Sequence, residues 1–195
     1  GNMGAGIAQK FATEGAEVTM VDLSEEALER GLSGIRTLLE QGVERRVFRP
    51  EQAEQILSRL RTTTNYADLA GCDLVVEAVF ENLAVKRDVF SKLDKVTGPE
   101  TILATNTSSF RVTQLQDDLK HPERLVGLHY FFHPAKNRLV EVIPGDRTDD
   151  KSLQRAWALM NATGKTAIPS ADGCGFIVNR FFVPWVNEGV RLLAE

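Results

Sequence analysis

Two side chains with complementary proton chemistry, His129 and Glu141, lie in neighbouring apolar segments of the sequence. The segment 134–137 between them has the composition of a turn. If the flanking segments pair as antiparallel strands about a turn centred on Ala135, His129 faces Glu141, with Cβ atoms roughly 4.5–5.5 Å apart. The Glu141 carboxylate would then hold one imidazole nitrogen of His129 and stabilise the charged imidazolium. A histidine held in this way is a general base for removing a hydroxyl proton. The alternative is a structural His–Glu hydrogen bond without chemistry.

A second candidate site is the glycine-rich start of the chain and the acid that follows it. Gly1-Asn-Met3-Gly4 matches the later half of the G-x-G-x-x-G fingerprint, and Asp22 comes 21 positions after Gly1, at the end of a predicted strand. Gly1 would let the backbone approach a pyrophosphate, Gly4 would let the helix pack close to the sheet, and free amides would hold the phosphates. Asp22 would bind the adenosine ribose and disfavour NADP. The spacing favours an NAD site that includes Met3, whereas the alternative is a flexible end over Gly1 to Gly6.

Short polar side chains form a third group of candidates. Asn106 and Ser108 follow a predicted strand at its carboxyl end, where open α/β sheets bind ligands. They could hydrogen-bond a nicotinamide ribose or a substrate oxygen, and helix capping explains either residue equally well. Asn179 lies in an otherwise apolar helical segment, and a buried amide needs a partner. The candidate partner is a substrate carbonyl, and the alternatives are a helix cap or a hydrogen bond to a neighbouring helix. His121 and His133 each precede a proline, and we expect them in loops without a catalytic role.

The elements that must position these residues alternate between strands and helices along the chain. The apolar run 73–79 is typical of a strand buried on both faces. The alternation predicts an α/β doubly wound, mostly parallel sheet. The first strand of such a sheet is central, but no strand precedes the first helix. Either the sequence is a trimmed fragment or another element takes that position. The predicted strands are 17–22, 62–64, 73–79, 101–105, 124–131, 138–143 and 165–169, and the longer helices are 24–46, 51–60, 83–96, 149–163 and 176–195.

The final helical segment differs from the others because it is apolar over most of its surface. Phe181, Phe182 and Trp185 crowd a helix that needs a partner to cover it. We predict one domain over residues 1–173 and the beginning of a helical domain, or a dimer contact, over 174–195.

The composition excludes several other classes of protein. Among 195 residues, 43% are apolar, which is enough for a full core, and the net charge of -4 argues against a nucleic-acid surface. No apolar run has the length of a membrane span, and no signal peptide is evident. Two cysteines, Cys72 and Cys174, indicate a reducing compartment, so we expect a cytoplasmic enzyme. No metal site is predicted.

Over essentially its whole length the chain resembles the L-3-hydroxyacyl-CoA dehydrogenases. The resemblance implies a Rossmann-type NAD domain, a helical dimerisation domain and a homodimer. It also implies oxidation of a 3-hydroxyacyl-CoA to the 3-ketoacyl-CoA, as in fatty-acid β-oxidation. The matching stretches are 1–8, 75–82 with Lys86, 106–109, 127–129, 139–143 and 175–180.

The resemblance also implies a role for each candidate residue. His129 looks like the catalytic base and Glu141 like its partner, while Ser108 and Asn179 look like contacts to substrate oxygens. The residues that look like cofactor contacts are Glu81, Lys86, Asn106 and the ribose acid Asp22.

The chain departs from the family pattern at one position. The family usually has Asn three residues after the histidine, where this chain has Phe132, and the following proline is displaced by one place to Pro134. The change removes a polar contact near the nicotinamide and is consistent with a different acyl group. Two other hypotheses stay open: a related NAD-dependent dehydrogenase of a sugar acid or small hydroxy acid, and a catalytically silent NAD-binding fragment.

Overall fold

A computed structural model describes residues 1–195 and shows strands alternating with helices, as predicted. The helices are α1 (Asn2–Thr13), α2 (Glu25–Glu44), α3 (Pro50–Ser58), α4 (Leu83–Val96), α5 (Val112–Gln116), α6 (Asp150–Ala162) and α7 (Val178–Ala194). The strands are β1 (Val18–Val21), β2 (Leu60–Thr63), β3 (Leu74–Glu77), β4 (Ile102–Thr105), β5 (Leu125–Tyr130), β6 (Leu139–Pro144) and β7 (Thr166–Pro169). Single 3-10 turns lie at Tyr66–Leu69 and Pro122–Arg124.

Local sequence signals explain where the first helices begin and end. Gly15 follows α1 with a φ of 98°, a left-handed conformation that a glycine adopts without steric cost. The Ser24 hydroxyl accepts a hydrogen bond from the Ala27 amide and so caps α2, whose first turn carries two glutamates. Pro50 is the first residue of α3, where its missing N–H costs nothing.

The strands form two sheets. Strands β1 and β2 pair in parallel, and the larger sheet has the order β3-β4-β5-β6-β7, in which only the β5–β6 pair is antiparallel. The apolar residues of β3 are half-buried and pack on both faces of the sheet, as predicted: Val75 lies against one apolar cluster, and Leu74 and Val76 lie against the other. β1 and β3 are not hydrogen-bonded to each other, so the sheet is divided at the place where the central strand was expected.

Apolar clusters cover both faces of the larger sheet, which confirms the doubly wound architecture. One cluster joins α4 and α5 to the sheet through Phe90, Leu93 and Leu115. The other joins α1 and α6 through Ile7 and Met160. A third cluster packs α1 against α2 and α3.

The last helix stands apart from this core. Phe176 was expected on the exposed apolar helix, but it is buried with α4 and α5, and α7 begins two residues later. None of the residues of α7 is buried, and the aromatic side chains of Phe181 and Trp185 are largely exposed. No helix in the chain has both the length and the apolar character needed to cross a membrane.

Candidate active site

The β5–β6 hairpin brings the histidine and the acid together. Its register places His129 directly opposite Glu141, as the turn centred on Ala135 predicts. His129 Nδ1 lies 2.6 Å from Glu141 Oε2, and both side chains are buried. Because an ionised carboxylate only accepts hydrogen bonds, the Nδ1 proton stays on the imidazole and the Nε2 lone pair is left free.

The free nitrogen of the imidazole points at the predicted serine. His129 Nε2 lies 3.0 Å from Ser108 Oγ, so the neutral imidazole accepts a hydrogen bond from the hydroxyl. The rings of Phe131 and Phe176 lie 4.7 and 5.3 Å from the imidazole and cover it on two sides. Ser108, His129 and Glu141 therefore form a continuous hydrogen-bonded chain in an apolar setting.

The second oxygen of Glu141 makes contacts that sequence reasoning did not find. Glu141 Oε1 accepts hydrogen bonds from the amides of Ile177 and Val178, at 2.8 and 3.0 Å, where α7 begins. Both oxygens of the Glu141 carboxylate therefore accept hydrogen bonds, one from the imidazole and the other from two backbone amides.

Glu81, predicted as a cofactor contact, organises the loop that carries Ser108. Its Oε1 accepts hydrogen bonds from the amides of Ser108 and Ser109, at 3.0 and 3.1 Å, and from the Thr107 hydroxyl. Burial raises the pKa of Glu81, but the hydrogen bond from Thr107 and the charge of Lys86 outweigh it, so the pKa is lowered overall. The carboxylate therefore stays charged and holds the loop.

Lys86 is buried between two acids. Its Nζ lies 2.8 Å from Glu77 Oε1 and 3.2 Å from Glu81 Oε2. Glu77 also accepts hydrogen bonds from the Thr105 hydroxyl and the Val79 amide. We did not identify Glu77 from the sequence, although a glutamate inside the apolar run 73–79 was a signal, because a buried charge needs a partner.

Asn106, directly after β4, connects the carboxyl ends of β3 and β5, the strands on either side of β4. Its Oδ1 accepts a hydrogen bond from the Tyr130 amide at 2.9 Å, and its backbone amide donates to Glu77 O. The side-chain NH₂ of Asn106 makes no hydrogen bond within the chain and is available to a ligand.

The start of α1 fits a dinucleotide. The amides of Asn2, Met3 and Gly4 have no acceptor in the chain, so the helix start presents free donors to a phosphate. A Cβ on Gly4 would lie 3.8 Å from the Ala78 Cβ, which shows that α1 packs close to the end of β3. The Gly1 nitrogen lies 3.8 Å from Asp22 Oδ2, so the loop and the acid are neighbours. The Met3 side chain packs against the core beneath α1.

Asn179 faces a cavity instead of being buried, which corrects our expectation. It makes no side-chain hydrogen bond within the chain, and together with Ser108 it lines an open cavity of about 550 Å³. Cys174 and Arg180, which we did not predict as site residues, also line this cavity.

The residues that replace the family's asparagine run lie beside α1. Phe132 is 72% exposed, and the His133 ring packs against the helix at Gly6. A Cβ on Gly6 would lie 2.9 Å from Pro134 Cδ and 3.2 Å from His133 Cε1, so only glycine allows this approach. Burial and the neighbouring charges of Lys136 and Lys165 lower the pKa of His133.

Comparison with known proteins identifies the family. A model of the 3-hydroxyacyl-CoA dehydrogenase NAD-binding domain matches residues 1–173. The chain belongs to this family. Membership confirms the predicted Rossmann-type fold and NAD as the cofactor of the domain.

Several 3-hydroxyacyl-CoA dehydrogenase family members are similar over all of this chain. It is 40% identical to the 3-hydroxyadipyl-CoA dehydrogenase of Escherichia coli K12, of which it spans 41%. It is 35% identical to the 3-hydroxybutyryl-CoA dehydrogenase of Clostridioides difficile, of which it spans 69%. The crystal structure of M. tuberculosis FadB2 superposes with a TM-score of 0.97 at 34% identity, and the chain spans 69% of it.

Proposed function

We propose that the protein oxidises a 3-hydroxyacyl-CoA to the 3-ketoacyl-CoA with NAD. The observation that carries the proposal is the hydrogen-bonded chain from Ser108 through His129 to Glu141, at 3.0 and 2.6 Å. A buried imidazole with one nitrogen held by a carboxylate and the other facing a hydroxyl is equipped to take a proton from an alcohol. The chain spans less than half the length of the E. coli relative, so the activity of the whole protein is a proposal.

In this reaction His129 Nε2 takes the proton of the substrate 3-hydroxyl. Glu141 stabilises the imidazolium that forms and keeps the ring in the orientation set by the hairpin. The Ser108 hydroxyl, which contacts Nε2, hydrogen-bonds the reacting oxygen, and Asn179 contacts a second substrate oxygen across the cavity. NAD, when bound, supplies the acceptor for the hydride that leaves C3.

The cofactor is held, in this proposal, by residues along the edge where α1 begins and where β1 and β3 end. The free amides beside Gly1, Met3 and Gly4 bind the pyrophosphate, and Asp22 binds the adenosine ribose. The free side-chain NH₂ of Asn106 donates a hydrogen bond to the nicotinamide half of the cofactor. Lys86 is buried in ion pairs and therefore acts through Glu81, whose side chain is partly exposed.

The remaining predictions extend the proposal to the whole protein. Residues 174–195 begin a helical domain whose partner covers the apolar side chains of α7, and a homodimer forms through that domain. The largely exposed Phe181 and Trp185 support this, because apolar patches of that kind mark interaction surfaces. The substrate is an acyl-CoA, and we propose a cytoplasmic location.

Loss of NADH absorbance with acetoacetyl-CoA as substrate tests the proposal. We expect turnover by the protein and none by the His129→Gln variant, which still binds NADH in calorimetry. His121→Gln is the matched control, since His121 is an exposed histidine paired with exposed Glu123, and it keeps full activity. Equal turnover by His129→Gln contradicts the proposal. Turnover of keto-sugar acids alone favours the related dehydrogenase, and NADH binding without any turnover favours a silent module.

A further inference from the structure

The segment between β7 and α7 contains two glycines, and side-chain hydrogen bonds hold it on both sides of them. It contains Gly173 and Gly175, and Gly175 has a φ of 74°. A Cβ on Gly173 would meet no atom within 4 Å, so packing does not hold this part of the segment. Around the glycines the backbone makes hydrogen bonds from the Gly173 amide to Ala171 O and from the Phe176 amide to Gly173 O, and side-chain ties lie on either side of the glycines.

Asp172 is the first of these ties. Its Oδ1 accepts a hydrogen bond from the Val112 amide at 2.6 Å. Its Oδ2 accepts from the amide and the hydroxyl of Thr113, at 2.8 and 2.6 Å. The Arg111 side chain donates to the backbone oxygen of Asp172 at 3.1 Å. Four hydrogen bonds thus join one residue to the start of α5.

The second tie follows the glycines. Glu141 holds the amides of Ile177 and Val178, and the Phe176 ring is buried beside α5. The segment is therefore hydrogen-bonded to α5 at Asp172 and to Glu141 of the β5–β6 hairpin at Ile177, with the two glycines between these contacts.

These ties connect the two walls of the substrate cavity. Ser108 lies four residues before the first residue of α5, and Asn179 is the second residue of α7. Both line the same cavity. Asp172 lies before the two glycines and Glu141 holds the amides directly before Asn179, so the two ties together set the position of Asn179 relative to Ser108.

We propose that Asp172 is a positioning residue that keeps Asn179 opposite Ser108 in the substrate cavity. The inference rests on the proposed function, because it assigns the two side chains to one substrate. Asp172 does not touch the reacting atoms. It acts by fixing the point from which the chain enters α7.

The test compares Asp172→Ala with Asp149→Ala. Asp149 caps α6 by accepting from the Ser152 amide at 2.7 Å, so its loss removes a similar helix cap far from α7. For Asp172→Ala we expect kcat/KM for acetoacetyl-CoA to fall about 10²-fold, the cost of a misplacement near 1 Å. NADH affinity stays unchanged, because the free amides at the start of α1 make no contact with Asp172. Asp149→Ala lowers thermal stability and leaves kcat/KM unchanged.

A milder variant covers the case in which Asp172→Ala does not fold. Thr113→Val keeps the shape of the side chain and removes the hydroxyl that donates to Asp172 and accepts from the Asp146 amide. We expect a smaller loss of kcat/KM in the same direction. A loss in Asp172→Ala no larger than in Asp149→Ala, or no loss in Thr113→Val, would overturn the proposal.

Hydrogen exchange separates this inference from the proposed function. We expect the Ile177 and Val178 amides to exchange faster in Asp172→Ala than in Asp149→Ala, whether or not the protein reduces acetoacetyl-CoA. An inactive parent protein with this exchange pattern overturns the proposed function alone. Unchanged exchange at both amides overturns the role of Asp172.

Discussion

The carboxylate of Glu141 joins two parts of the molecule. Its Oε2 lies 2.6 Å from His129 Nδ1, and its Oε1 accepts hydrogen bonds from the Ile177 and Val178 amides where α7 begins. One buried acid therefore orients the imidazole and fixes the start of the helix that carries Asn179. The orientation of the imidazole and the start of α7 therefore depend on the same carboxylate.

The first prediction concerns the charge of this carboxylate. In Glu141→Gln the amide oxygen can still accept from α7, but the side chain no longer carries the charge that stabilises an imidazolium. We expect kcat to fall by about 10⁴-fold, the scale seen when a carboxylate that orients a catalytic histidine is replaced by its amide. Glu123→Gln changes the exposed His121–Glu123 pair and leaves kcat unchanged in the same NADH assay. Full activity of Glu141→Gln would show that the pair is structural only.

The second prediction concerns the buried ion pairs beneath the Ser108 loop. Lys86→Met leaves Glu77 buried without its cation, and breaking a buried pair in this way costs about 3–5 kcal/mol. Urea unfolding measures this loss. Lys92→Met removes an exposed pair with Asp88 on the same helix and lowers the free energy of unfolding far less, because solvent screens exposed ion pairs. Adding Glu77→Gln to Lys86→Met restores part of the stability, and equal losses in the two single variants would contradict a buried network.

The third prediction concerns the contact between α1 and the loop after β5. Gly6→Ala places a Cβ 2.9 Å from Pro134 Cδ, and the resulting overpacking costs about 1–3 kcal/mol. Gly34→Ala is the matched control because an added Cβ meets no atom within 4 Å there, in the middle of α2. It stabilises the protein by about 0.4–1 kcal/mol, since alanine loses less entropy on folding. Thermal unfolding of both variants measures whether stability falls in Gly6→Ala and rises in Gly34→Ala. Destabilisation by Gly34→Ala alone would contradict the close contact assigned to Gly6.

Much of the fold could be predicted because it depends on local signals. Ser24, Pro50 and Gly15 mark helix ends through their own hydrogen bonds or dihedral preferences, and α2, α3 and the end of α1 follow them. The opposition of His129 and Glu141 also followed from the sequence, because strand residues alternate in direction and one turn sets the register.

Other features could not be read in this way because they join residues that are distant along the chain. The Glu77–Lys86–Glu81 ion pairs and the contact of Asp172 with α5 depend on which elements become neighbours in space.

The sequence by itself determined the alternating elements and the facing of His129 and Glu141, since periodicity and turn chemistry act over a few residues. Only the tertiary structure decided that Ser108 meets His129, that Glu141 also holds α7, and that Asn179 faces a cavity. Those contacts arise when packed helices and strands bring separate segments together, and no local preference specifies which hydrogen-bond partners then meet.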